Sequence, residues 1–173
     1  MIVDLCCGDG GFTDGFLETG HRVIGFDLRK YPGYRGQLVI QDVRTVSGYP
    51  MRGKVNYIVA GPPCEEFSRH GMPWTRKRNP PEPDLSLVKA CFRIADEAGC
   101  PILLENVRFA QQWIGKALMH YGPHYFWGDL PALYPIDYLK KKKESYGSQL
   151  RHLRARVPIE FSRHLGQIVT VTY

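Results

Sequence analysis

Tyr57-Ile58-Val59-Ala60-Gly61-Pro62-Pro63-Cys64-Glu65-Glu66-Phe67-Ser68 is a strand, a hard stop and a cysteine. The run Tyr57 to Ala60 is apolar and reads as a buried strand. Gly61-Pro62-Pro63 ends it, because proline fixes φ and removes a backbone donor. Cys64 is thereby set on a stiff platform just beyond the carboxyl end of a strand. In an open α/β sheet that is where ligands bind. A thiol held there reads as a nucleophile.

On the amino-terminal side, Ile2 to Cys6 reads as a strand and Gly8-Asp9-Gly10-Gly11 as a glycine-rich turn. Phe12 to Thr19 follows as a short helix with Thr13 as its cap, then His21 to Asp27 and Leu38 to Ile40 as strands. On the carboxyl side, Arg69 to Pro83 carries Gly71, Pro73, Pro80, Pro81 and Pro83, and reads as a mobile basic loop. Asp84 is expected to cap a helix running to Ala98, with Leu85, Val88, Phe92 and Ala95 on one face. Pro101 to Glu105 reads as a strand, Phe109 to His120 as a helix and Tyr125 to Trp127 as a candidate strand. Pro131 to Gly147 is an irregular basic excursion, Pro158-Ile159 could open a last helix, and Ile168 to Tyr173 is a β-favouring tail. Strands alternating with helices imply an α/β fold: a mostly parallel sheet covered on both faces, in one domain spanning 1–173.

The 173 residues suffice for one domain with a real core, and 43% hydrophobic with 23% charged content is ordinary for a globular chain. No apolar run approaches the ~20 residues of a membrane span, and the start of the chain goes straight into a strand, so neither membrane nor signal peptide is expected. Five cysteines, two of them adjacent, do not suggest a disulfide framework, so a reducing, intracellular setting is expected. A cytoplasmic protein of prokaryotic or phage type is a separate expectation, which the cysteines themselves do not carry. No Cys/His spacing suits zinc, and no metal is expected. A net charge of +6, crowded into Arg69 to Arg78, Lys140 to Lys143 and Arg151 to Arg163, is compatible with a polyanionic partner.

Asp4-Leu5-Cys6-Cys7-Gly8-Asp9-Gly10-Gly11-Phe12 sits between a strand and a helix, with Asp27 ending the next strand. Glycines there admit close backbone approach, and a carboxylate after the second strand suits a ribose diol. Asp4, Asp9 and Asp14 around the turn favour a nucleoside bearing a cation over a pyrophosphate, and S-adenosylmethionine is such a ligand. Asp42, after the third strand, could accept from an adenine amine. Glu105, in Leu103-Leu104-Glu105-Asn106-Val107, ends a strand next in order to that of Cys64. Thiolate and carboxyl together suggest chemistry on a heterocycle: the thiolate adds to an electron-poor ring carbon while the carboxyl group serves a ring nitrogen. Arg154 and Arg156, two apart, could clamp a phosphate or polarise a base carbonyl.

The order Asp-Leu-x-x-Gly-x-Gly-Gly, Gly-Pro-Pro-Cys-x-x-Phe-Ser, Glu-Asn-Val and Arg-x-Arg, over Asp4 to Arg156, resembles the cytosine carbon-5 DNA methyltransferases. The resemblance implies a Rossmann-like S-adenosylmethionine-dependent fold and methyl transfer to cytosine in DNA. It casts Cys64, Glu105, Arg154 and Arg156 as catalytic. It places the cofactor among Asp4, Cys6, Gly8, Gly10, Gly11, Phe12, Asp27, Leu28, Asp42, Val43 and Pro62. The family's usual Phe-Ser after Asp-Leu is here Cys6-Cys7. Neither a target-recognition domain nor the late helix that finishes the family's cofactor pocket is legible in the seventeen residues after Arg156. A basic, aromatic insert over 121–149, with Trp127 and Lys140 to Lys143, is expected to do part of the nucleic-acid contact, and a partner or second copy could supply the rest. A non-catalytic binding relative, an RNA substrate and a free cytosine nucleotide are the alternatives.

Overall fold

The computed structural model describes residues 1–76, 78–131 and 156–172. The Lys140 to Lys143 run, Arg154 and most of the expected insert lie outside the described residues. One seven-stranded sheet runs β3-β2-β1-β4-β5-β7-β6. β1 (Ile2–Leu5), β2 (Val23–Asp27), β3 (Gln37–Ile40), β4 (Tyr57–Ala60) and β5 (Ile102–Val107) are parallel. β7 (His124–Gly128) is antiparallel to both β5 and β6 (Met119–Tyr121).

Side chains alternate across the sheet and divide the core in two. Val3 and Leu5, Ile58 and Ala60, and Ile102 and Leu104 face the helix α4 (Ser86–Ala98). That helix buries Val88, Cys91, Ile94, Ala95 and Ala98, while Phe92 packs at the margin. Ile2, Tyr57, Val59 and Leu103 face the other way, onto Phe12 and Phe16 of α1 (Gly11–Glu18) and Phe161, Leu165 and Val169 of α6 (Ile159–Thr172). The strands read as unbroken apolar runs because both faces are covered.

Several expectations from sequence are corrected. Arg69 to Pro83 is not irregular throughout. α2 (Glu65–Gly71) starts directly after Cys64, and α3 (Pro73–Arg76) opens on a proline, which suits a first helical position. α2 is seated by buried Phe67, and by rings of Phe67 and His70 lying 5.9 and 4.5 Å from that of Trp113. Phe109 to His120 is not one helix. A 3₁₀ turn leads into the single-turn α5 (Gln111–Ile114), which stops at Gly115, and β6 follows. Asp84 sits one residue before the cap of α4, accepting from Ser86 N at 2.8 Å. Trp127 is no stacking platform: it is buried, and its Nε1 donates to the Gly115 carbonyl at 2.8 Å. Residues 121–128 belong to the sheet rather than to an insert.

The tail after Pro158 is helical rather than extended. Phe161, Leu165 and Val169 recur every fourth residue and seat it on α1, so packing overrides the β preference of its valines. Contact is close because glycines line it. A Cβ at Gly15 would lie 2.3 Å from Arg163 N and 2.4 Å from the Ser162 carbonyl carbon. Arg163 Nε donates to Glu18 at 2.7 Å and closes the outer edge.

Thr13 does not cap α1; Gly10 does, at φ 82. Thr13 is buried one turn in, and its hydroxyl donates to Asp4 Oδ2 at 2.6 Å, tying α1 to β1. Burial raises the Asp4 pKa from 3.8 to about 7 against the opposing hydrogen bond from Thr13.

Two outcomes follow from this joint. The raised pKa means that the folded protein holds the Asp4 proton more tightly than the unfolded chain does. The stability contributed by the neutral acid is therefore complete below pH about 4 and lost as pH rises through about 7. Asp4→Asn, measured by urea unfolding at several pH values, should flatten that fall and gain on the order of 2–4 kcal/mol at pH 8 relative to pH 4. Gly15→Ala should cost roughly 1–3 kcal/mol through overpacking of α6 on α1, read by the same titration.

Candidate active site

A cleft of about 410 Å³ opens at the carboxyl ends of the parallel strands. At one end it is lined by Asp4, Cys6, Gly8, Gly11, Phe12, Asp27, Leu28, Asp42 and Val43, with Arg156 against the Gly10–Gly11 turn; at the other by Pro62, Cys64 and Glu105. The topology explains the meeting. β1 lies between β2 and β4, so the turns after the three strands open side by side.

At the first end the backbone is tightly turned. Cys6 adopts φ 56, and Gly8 N donates to Asp27 Oδ2 at 3.0 Å. The Cys6 thiol is bonded to that of Cys91 and held well above the usual range, with burial adding to the effect. Burial does the same to Cys7. Asp42 caps a 3₁₀ turn, accepting from Arg44 N at 2.9 Å, and is gripped by the Arg44 guanidinium at 2.8 Å. These hydrogen bonds hold the Asp42 carboxyl below its ordinary pKa. Gly10 is not in the lining; it lies beside the Tyr34 ring.

At the second end, Gly61 N donates to Leu5 O at 3.0 Å and Asn106 Nδ2 to Pro62 O at 3.0 Å. The turn carrying Cys64 is thus pinned from β1 and from β5. The Cys64 thiol is pushed up by burial and by Glu65, and a hydrogen bond from Ser68 draws it back. The Glu105 carboxyl group adds to the upward push. Glu105 is itself bonded through Oε1 to His124 Nδ1 at 2.8 Å. Arg156 lines the cleft but anchors elsewhere, with its Nη2 paired to Asp14 of α1. Val157 beside it also lines the cleft, so the segment leading into α6 forms one wall. The late helix itself packs on α1, and none of its described residues lines the cleft.

His124, Tyr31, Arg44 and Val157 are lining residues that sequence reasoning did not single out. His124 enters through the antiparallel β5–β7 pairing, which no local motif announces. Arg44 was visible as the cation two residues beyond Asp42. The five cysteines are free thiols. Among the described residues no His, Cys, Asp and Glu cluster suits a metal ion, and no helix is long and apolar enough to cross a membrane.

Among solved structures, the chain is similar to a DNA modification methyltransferase encoded within an E. coli prophage, at 22% identity and a TM-score of 0.49, over 65% of this chain and 33% of that one. It is similar to a Spodoptera frugiperda DNMT2 mutant at 22% and 0.41, over 62% and 35%. It is also similar to the Entamoeba histolytica methyltransferase EhMeth at 17% and 0.47, over 64% and 39%. The chain thus spans a little over a third of the length of these proteins. No curated protein matches it by sequence. A model of the C-5 cytosine-specific DNA methylase family matches residues 1–113, which hold β1 to β5, the Gly8–Phe12 turn, Cys64 and Glu105. The chain belongs to the C-5 cytosine-specific DNA methylase family.

Proposed function

We propose that the chain transfers a methyl group from S-adenosylmethionine to carbon 5 of cytosine in DNA, through a covalent adduct on Cys64. The observation that carries this is the joining of Cys64 and Glu105 to the Asp27 end within one cleft. The residues fit the cofactor. Asp27 suits the ribose hydroxyls, Asp42 the adenine amine, and Phe12, Leu28 and Val43 supply an apolar wall. Asp9 and Asp27 give the cleft the acidic character a sulfonium and an ammonium group require. When bound, the cofactor supplies an electrophilic methyl group.

The chain's own residues do the rest. Cys64 gives up its proton to solvent water, and its thiolate sulfur forms a bond to cytosine carbon 6. The electron pair of the 5,6 double bond moves to make carbon 5 nucleophilic. Glu105 donates to ring nitrogen 3, offsetting the developing charge. Once carbon 5 is methylated it sheds its proton, the double bond re-forms and the thiolate leaves. A cytosine must leave the duplex stack to reach so recessed a thiol, at a cost of a few kcal/mol. Arg156, set by Asp14, lines the cleft, and Arg154 is assigned with it to the base carbonyl. The whole of 1–173 acts as one catalytic domain, with target selection left to the segment between β7 and α6 or to a partner. Five free thiols fit an intracellular setting.

Incubation with a 5-fluorocytosine DNA oligonucleotide and S-adenosylmethionine should give an adduct stable to denaturation, seen as a mass shift, that is abolished in Cys64→Ala. No adduct on single- or double-stranded DNA would overturn the reading, and an adduct formed on RNA alone would transfer it to that substrate. Asp27→Ala should weaken S-adenosylmethionine binding by about tenfold or more in calorimetry, since a carboxylate hydrogen bond is worth roughly 1.5–3 kcal/mol.

A further inference from the structure

We propose that His124 is a positioning residue for Glu105, holding one carboxyl oxygen so that the other is presented to the substrate ring. The inference rests on the role given to Glu105 above.

The placement is dictated by the sheet. In the β5–β7 ladder Glu105 lies opposite Phe126, and Val107 opposite His124. Residues two apart share a face, so Glu105 and His124 are diagonal neighbours on one face, within reach of long side chains. Both are buried, and both line the cleft beside Cys64. His124 Nδ1 and Glu105 Oε1 are 2.8 Å apart, and no further hydrogen bond to the Glu105 side chain occurs among the described residues. Oε2 therefore remains for a ligand in the cleft.

A glutamate side chain has three rotatable bonds, and one that must meet a ring nitrogen at hydrogen-bond distance gains from being fixed beforehand. Asn106 cannot fix it, because that side chain points to the opposite face and is committed to Pro62. His124 can, because it is rooted in the next strand, where the ladder on both sides holds its backbone.

Three substitutions test this. His124→Phe keeps a ring and removes the donor. His124→Asn places an amide nitrogen where Nδ1 stands, and His124→Gln moves it further out. Each is assayed for kcat and KM on a cytosine oligonucleotide, for S-adenosylmethionine affinity, and for thermal unfolding. A misplaced group near the reacting atoms costs about 100-fold, so His124→Phe and His124→Gln should lose about 10- to 100-fold in kcat while KM and cofactor affinity hold within about twofold. His124→Asn should recover most of the rate. Glu105→Gln/His124→Phe should be no slower than Glu105→Gln alone, since His124 acts through Glu105.

A His124→Phe enzyme at wild-type kcat, or a double variant in which the two losses multiply, overturns the proposal. Should His124→Phe unfold, the Asn and Gln variants decide, and equal rates in the two overturn it. A wild-type protein that methylates no cytosine substrate fails the methyl-transfer reading itself and takes this inference with it. An active wild type indifferent to position 124 fails this inference alone.

Discussion

The buried hydrogen bond from Asn106 Nδ2 to the Pro62 carbonyl holds together the end of the cleft that carries Cys64. A proline-rich turn has few donors of its own, so its carbonyls must be met from outside. Asn106 meets one from the adjacent strand, while Gly61 N reaches back to Leu5 O. Because alternate residues of β5 face opposite ways, Asn106 can secure the turn that carries Cys64 while Glu105 faces the cleft. Glu105 and Asn106, adjacent in one strand, thus serve the cleft and the Cys64 turn from opposite faces. Loss of the Asn106 amide would leave a buried carbonyl unpaired, at a cost of about 1–3 kcal/mol.

The cofactor half obeys a different constraint, which is closeness. Gly11 and Gly15 let the segment at Arg156 and Val157, and then α6, lie against α1 with no intervening side chain. A Cβ at Gly11 would stand 2.8 Å from Val157 N. Arg156 crosses this seam to Asp14, so an arginine that sequence reasoning directs at the base is set by the helix beneath the cofactor turn. The two halves are coupled through the sheet: β1 bears the glycine turn and neighbours β4, which bears the cysteine.

What was legible in sequence follows from how local each signal is. β1 and β4 read correctly because a strand buried on both faces is an apolar run bounded by turn residues, and the half-exposed edge strand β3 read correctly from its Leu-Val-Ile run. Asp27, Cys64 and Glu105, picked out at or just beyond the ends of such runs, all line the cleft, although β5 continues past Glu105 to Val107. Elements that depend on distant contacts read poorly. Arg69 to Pro83 looked irregular from its prolines, yet Phe67 and His70 against Trp113 stabilise a helix there. Ile168 to Thr172 looked extended from its β-branched residues, yet Leu165 and Val169 fall on α1. Phe109 to His120 looked helical because Gly115 was given too little weight as a stop. His124 was invisible because its significance lies wholly in the strand opposite.

The seam between α1 and the Arg156 segment joins residues 146 positions apart, as Gly10 O and Arg156 Nη2 show at 3.5 Å. Contacts so distant along the chain form late, since loop-closure entropy must be met before they contribute. A chain with β1 to β5 in place but this seam unmade would already present Cys64 and Glu105, while the wall at Val157 was still missing. The two ends of one cleft therefore draw on different amounts of the chain.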